Sequence, residues 1–314
     1  MAENERTSGD MPSGDGASGD AASGDEATVA AHARSNGDGA AHRAAVVGSP
    51  VAHSKSPDLH RAGYRELGMT DWSYDRIDCA EDGFAEMVDR LPADVVGLSV
   101  TMPNKKAALA YATEVTDRAR AVGAANTLVR TDTGWRADCT DVDGVTGSLR
   151  ELGYDSDLRE LTGSTAVLVG AGGTALAVVQ ALAEAGVASI AVVARDADRA
   201  AGVLELARAH DIDTLLVEFA PSTQLRALCG RAAVTVNTVP VAGVAPLVDD
   251  LAVSGRVLDV IYDPWPTPLA EAVEAQGGLV VGGLVMLLNQ AFGQFEQFTG
   301  RAAPREAMAD AIGL

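Results

Sequence analysis

Short apolar runs that alternate with helical stretches constrain this chain more than any other feature. Residues 44–48, 93–98, 165–169, 189–193, 232–236 and 256–261 are rich in valine, leucine, isoleucine and alanine and lack the polar alternation of a half-buried strand. Such runs predict strands covered on both faces, the habit of parallel sheets. Less apolar runs at 72–77 and 213–218 extend the series. Helices are expected between them, at 58–67, 82–91, 107–111, 116–122, 144–152 and 175–185, with a last one at 284–298. Strands alternating with helices over a chain of 314 residues predict an α/β protein of about two domains.

Residues 1–43 do not share this pattern. They carry Ser-Gly-Asp four times at a five-residue spacing, from Ser8, Ser13, Ser18 and Ser23, with scarcely a large apolar side chain. Such a segment cannot bury enough surface to offset the entropy of ordering it, so it is expected to be disordered. It holds eight acids against three arginines, so −15 of the net charge of −20 belongs to the rest of the chain. An acidic body without a basic patch argues against nucleic acid and anionic membrane as partners. Cys79, Cys139 and Cys229 are odd in number and far apart, which points to neither a disulfide framework nor a zinc site. No secretory signal is visible, and the most apolar window, 279–288, is too short to span a bilayer. A cytoplasmic protein, monomer or homodimer, is expected.

Candidate chemistry begins at Ser99-Val100-Thr101-Met102-Pro103-Asn104-Lys105. Pro103 has no N–H to give a ladder, so the preceding strand must end before it. Lys105 then falls just past the carboxyl end of a strand, where open α/β sheets hold their ligands. Taken alone, Lys105 and Lys106 also fit a solvated pair opening a helix. In His53-Ser54-Lys55-Ser56-Pro57, the proline is placed to start the next helix, and Ser54 and Ser56 are either polar contacts or turn and cap residues. Asn126 interrupts an apolar strand, and its amide needs a partner. Asp141 opens a helix, where Thr140 and Asp143 also fit a capping box.

Residues 165–185 read as strand, glycine-rich turn and helix. Gly170, Gly172 and Gly173, with Ala171 and Thr174 between and after them, allow backbone N–H groups to approach a pyrophosphate at the helix amino end. The next strand leads into Ala194-Arg195-Asp196. An acid at its end would suit the ribose of NAD, whereas arginine suits the 2′-phosphate of NADP. Arg195, with Arg199 one turn on, favours NADP; Asp196 would repel a phosphate and leaves NAD possible. Asn237, Val239, Ile261 and Gly283 complete the expected cofactor wall. Pro264, Pro266 and Pro268 fix a rigid loop near it.

Together these motifs resemble the shikimate dehydrogenase family over nearly all of residues 44–314. The family's serine pair falls on Ser54 and Ser56, and the lysine of its Val-Thr-x-Pro-x-Lys run falls on Lys105, with Thr101 lining the substrate site. Its substrate-binding asparagine falls on Asn126, its catalytic aspartate on Asp141, its late tyrosine on Tyr262 and its glutamine on Gln290. Ser99 and Cys139 stand where the family usually has asparagine. Ala194-Arg195-Asp196 replaces its Asn-Arg-Thr, and Leu176 replaces an arginine common after the glycine turn.

The resemblance implies an enzyme of the shikimate pathway that reduces 3-dehydroshikimate to shikimate reversibly with NADPH, toward aromatic amino acids and without a metal. Lys105 would be the proton donor and acceptor, paired with Asp141. It further implies a substrate domain at 44–147, a Rossmann-type doubly wound dinucleotide-binding domain at 148–283, and carboxyl-terminal helices at 284–314 returning to the first. Two alternatives stay open. One is a quinate/shikimate or aminoshikimate dehydrogenase using NAD; the other is a catalytically silent nucleotide-binding regulatory protein on the same fold.

Overall fold

The computed structural model describes residues 41–314, so the expected disorder of the Ser-Gly-Asp repeats lies outside the described residues. The first half runs β1 (His42–Gly48), α1 (Ser56–Glu66), β2 (Trp72–Asp78), α2 (Phe84–Asp89), β3 (Val95–Val100), α3 (Lys105–Tyr111), β4 (Glu114–Val115), α4 (Asp117–Val122), β5 (Thr127–Thr131), β6 (Gly134–Asp138) and α5 (Asp141–Glu151). The second runs β7 (Thr165–Val169), α6 (Gly173–Glu184), β8 (Ser189–Ala194), α7 (Ala197–Ala209), β9 (Asp213–Glu218), α8 (Thr223–Cys229), β10 (Val234–Asn237), α9 (Val241–Val244), α10 (Val248–Leu251), β11 (Arg256–Asp259), α11 (Pro268–Ala275), β12 (Leu279–Gly282), α12 (Gly283–Thr299) and α13 (Arg305–Asp310).

The apolar runs form strands because both of their faces are covered. On β1, Ala44 and Val46 pack with Leu59, Tyr64 and Phe295 on one side, while Ala45 and Val47 pack with Phe84, Val88 and Ala108 on the other. On β7, Ala166 and Leu168 face one cluster and Val167 and Val169 another. The period of two therefore sorts each strand's side chains into two cores.

The second sheet has the order β12-β11-β10-β7-β8-β9, with every pairing parallel. Its direction of winding reverses between β7 and β10, which opens a crevice at their carboxyl ends. The first sheet has the order β2-β1-β3-β5-β6-β4 and is mixed, not the parallel sheet expected. β5 runs antiparallel to β3, and a tight hairpin at Asp132-Thr133 returns it as β6. That hairpin brings Asp138 back beside Asn126, whose N–H bonds the Asp138 carbonyl at 3.1 Å.

Two boundaries differ from expectation. β1 starts at His42, because Ala41 and His42 both donate to the Asp71 carbonyl, at 2.9 and 3.1 Å. The expected division between 147 and 148 falls inside the unbroken α5, whose Val142, Val145 and Leu149 pack in one cluster with Leu168 and Val178 of the second half.

The last helices do return. Phe292, Phe295 and Phe298 of α12 and Met308 of α13 join the core above β1 and α1. Phe298 lies so close over β3 that a Cβ on Gly97 would overlap its ring. Gly97→Ala should therefore cost about 1–3 kcal/mol of stability, as overpacking does in a closed core. Chemical denaturation would measure it, and an unchanged midpoint would show that α12 does not press on β3 as described.

Candidate active site

Between the two sheets lies a 230 Å³ cleft, at the carboxyl ends of β1, β3, β7 and β11. Ser54, Ser56, Thr101, Lys105, Asn126, Asp141, Tyr262 and Gln290 all line it. A larger cavity of 690 Å³ is lined by Asp58, Arg61, Tyr64, Trp72 and Ser73, at the amino end of β2. It holds none of the residues expected to carry chemistry and opens at the wrong end of the strands for a ligand site in this architecture.

Pro103 ends β3 and the chain turns into α3, of which Lys105 is the first residue. A cation is electrostatically misplaced at a helix amino end. Asp141 offsets this: its Oδ2 accepts from Lys105 Nζ at 2.5 Å, with side-chain exposures of only 18% and 9%. Burial pulls the Lys105 pKa down, but the adjacent Asp141 charge and hydrogen bond outweigh it, so the net shift is upward and the ammonium form is favoured. The other oxygen of Asp141 accepts from Asn126 Nδ2 at 2.9 Å, and Asn126 Oδ1 accepts from the Thr140 N–H at 2.7 Å. Gln290 Oε1 also accepts from Asn126 Nδ2, at 3.1 Å. The amide expected to interrupt an apolar strand sits instead in a bend just before β5, and both of its polar atoms have partners.

The expected capping box does not form: Thr140 has no side-chain capping bond to α5. Asp143 is held instead by Arg118 at 2.8 Å, and the same guanidinium grips Asp138 at 2.5 Å. Tertiary ion pairs to a half-buried arginine outcompete the weaker local cap. Cys139, where the family has asparagine, is buried among apolar side chains of α5 and α6, and burial pushes its thiol up to about 12. It therefore packs as an apolar group.

Ser99 does not replace its family asparagine alone. Its hydroxyl accepts from the buried Tyr74 phenol and donates to Gln294 Oε1, both at 2.6 Å. Gln294 Nε2 in turn donates to the Asn126 carbonyl at 2.9 Å. Neither Tyr74 nor Gln294 was expected in the site. Gln294 was findable, being one helical turn beyond Gln290 on the same face.

Across the cleft, Gly170 has a φ of +109°, which the turn after β7 requires of glycine. The space before Gly172 is open, and Gly173 lies 3.9 Å from the Lys105 side chain, measured from an ideal Cβ. With no acid in the first turn of α6 and no side-chain cap, this turn fits a pyrophosphate. Thr174 and Gly283 line the cleft beside it. Ile261 accepts from the Gly283 N–H at 3.1 Å, joining the two strand ends.

The Asp196 carboxylate caps α7, accepting from the N–H groups of Asp198 and Arg199 at 2.9 and 3.2 Å. Arg195 lies over Phe219, 5.5 Å from its ring centre, and Arg199 is exposed beside Asp196. Asn237 is a correction. It is fully buried, and its amide is taken up by the Val239 backbone and by Asp259 at 2.9 Å, so it shapes the loop carrying Val239 and offers no side chain to a cofactor.

Asp138 anchors the hairpin to the site. Burial opposes its charge, but Arg118, Thr116 and the Cys139 N–H hold its carboxyl down at about 2. A carboxylate more acidic in the folded than in the unfolded chain stabilises above the ordinary range, and that contribution disappears as pH falls from about 4 to about 2. Asp138→Asn should cost about 2 kcal/mol at pH 7 and only a small part of that at pH 2, as read by thermal melts at both pH values. An equal loss at both would assign the effect to packing.

Three family models match the chain in order. Residues 46–128 match the shikimate dehydrogenase substrate binding domain, 154–224 the shikimate / quinate 5-dehydrogenase model and 283–312 the shikimate 5'-dehydrogenase C-terminal domain. A shikimate dehydrogenase (NADP(+)) of Methylobacterium radiotolerans is 40% identical, covering 82% of this chain and 91% of its own. The crystal structure of Mycobacterium tuberculosis shikimate dehydrogenase is 49% identical with a TM-score of 0.80, over 86% of this chain and 98% of that one. The Thermus thermophilus shikimate 5-dehydrogenase, crystallised with NADP(H) and shikimate, is 28% identical with a TM-score of 0.71, over 86% and 98%. Sharing both sheets and nearly the full length of these relatives, the chain belongs to the shikimate dehydrogenase family.

Proposed function

We propose that this chain is an NADP-dependent shikimate dehydrogenase that interconverts 3-dehydroshikimate and shikimate, with Lys105 and Asp141 as its catalytic pair. The observation that carries this reading is the Lys105–Asp141 contact at 2.5 Å, facing a glycine turn suited to a dinucleotide. The Thermus thermophilus relative, crystallised with both NADP(H) and shikimate, supports the choice of ligands. The chain before α5 with 284–314 would form the substrate half, and the chain after α5 to residue 283 the cofactor half, of a cytoplasmic enzyme, with α5 joining the two.

A bound nicotinamide supplies the hydride in reduction and accepts it in oxidation. The chain must orient the substrate, keep water out and move one proton. In reduction, Lys105 donates its proton to the ketone oxygen as that oxygen gains charge, and the carbonyl becomes a hydroxyl. In oxidation the neutral amine takes the hydroxyl proton back. Asp141 keeps the ammonium form of Lys105 favoured. Asn126 prevents Asp141 from rotating, because it holds the oxygen that Lys105 does not. Ser54 and Ser56 donate to the substrate carboxylate, whose charge requires donors once it leaves water. Thr101, Tyr262 and Gln290, which line the same cleft, would contact the ring hydroxyls.

Lys105→Met should lower kcat by at least about a hundredfold and leave the shikimate KM within a few fold, the pattern of a lost proton donor. Steady-state kinetics in both directions would measure it, and near-normal turnover would remove Lys105 from the mechanism. Arg195→Ala should raise the KM for NADPH about tenfold and change that for NADH by less than about twofold, since only NADPH offers a 2′-phosphate. An unchanged NADPH/NADH preference would place the phosphate elsewhere.

A further inference from the structure

Ser54 and Ser56 are neutral, and a carboxylate entering a closing cleft needs a cation as well as hydroxyls. Lys105 lines the cleft but is committed to Asp141. Lys55 sits between the two serines in sequence, yet its side chain is 53% exposed and turns to Asp58 at 3.9 Å.

β2 supplies another cation. Tyr74 and Arg76 stand on the same face of the strand, two residues apart. Tyr74 reaches Ser99, and Arg76 Nη2 donates to the Ser54 carbonyl at 2.6 Å. The serine loop is tied down further by Ser54 N–H to the Val51 carbonyl at 3.0 Å and by Ser56 N–H to Ser54 Oγ at 3.3 Å.

Arg43 and Arg61 share Asp75, and Arg118 has Asp138 and Asp143. Among the described residues Arg76 has no such carboxylate: its one hydrogen-bond acceptor is a neutral carbonyl, and its Nε is buried without a partner. In a body with a net charge of −15, a partly buried guanidinium that is in no ion pair leaves its charge available to the serine loop it holds.

We propose that Arg76 is a specificity-determining positioning residue, which fixes the Ser54–Ser56 loop and supplies the charge that makes it select a carboxylate. This rests on the reading that these serines receive the substrate's carboxylate. Arg76 acts through the loop and its field, without touching the ring.

The test compares shikimate with its neutral methyl ester, using the full chain with NADP; where the ester is not turned over, its inhibition constant takes the place of KM. Arg76→Gln should raise the KM for shikimate at least about tenfold, hold kcat within about threefold, and shift the ester by less than about twofold. Arg76→Lys, which keeps the charge, should recover most of the affinity for the acid. If Arg76→Gln does not fold by thermal melt, Arg76→Met takes its place with the same expectation. Equal losses for acid and ester would reduce Arg76 to a scaffold and overturn the proposal, as would an unchanged shikimate KM. A collapse of acid preference in Lys55→Gln but not in Arg76→Gln would move the role to Lys55. Failure of the functional reading would look different: the wild type would turn over neither compound.

Discussion

An ammonium at the amino end of a helix, half-withdrawn from water, is stable only with a carboxylate against it, and the rest of this molecule is arranged around that requirement. Lys105 is the first residue of α3 and Asp141 the first of α5, so two helix starts meet in one cleft. A carboxylate suits a helix amino end and a lysine does not; the pair places the favourable charge of one helix on the unfavourable charge of the other. Removing either partner would leave a poorly solvated charge, so the geometry is held by more than one side chain's preference.

Holding Asp141 is the task of the mixed half of the first sheet. The hairpin of β5 and β6 sets Asn126 beside Asp138, Arg118 clamps Asp138 and Asp143 on either side of Asp141, and Gln297 of α12 donates to Asp138 at 2.7 Å. α12 also brings Gln290 and Gln294 onto Asn126 and Ser99. The floor of the cleft is therefore a connected polar network in which each member satisfies another, and such networks are rigid when complete. Its components come from β2, β3, the β5–β6 hairpin, α4, α5 and α12, which explains why the last helix must return to the first sheet.

Most of the strands and the glycine turn were legible in the amino-acid order for a simple reason: each is marked locally. Val167 and Val169 need two covered faces wherever they fold, Pro103 stops a ladder by its own chemistry, and Gly170 announces a backbone that other residues avoid. Harder to read were features in which a distant group displaces a local preference. Thr140 and Asp143 look like a capping box until Arg118, more than twenty residues earlier, takes the acid. Asn237 looks like a ligand contact until Asp259 takes its amide. The β5–β6 hairpin lacks the Asn-Gly signal of a tight turn, and its antiparallel return was missed.

The amino-acid order by itself determined the alternation of elements, the glycine-rich turn and which side chains could carry chemistry, because periodicity, proline, glycine and residue type act over a few neighbouring residues. Only the tertiary structure decided which of those side chains face each other, that Asp196 caps α7, that Ser99 works through Tyr74 and Gln294, and that Arg76 holds the Ser54 carbonyl. Those outcomes depend on sheet register and helix return across as many as 195 residues of chain, and the partner that wins each polar group is the one packing brings within 3 Å.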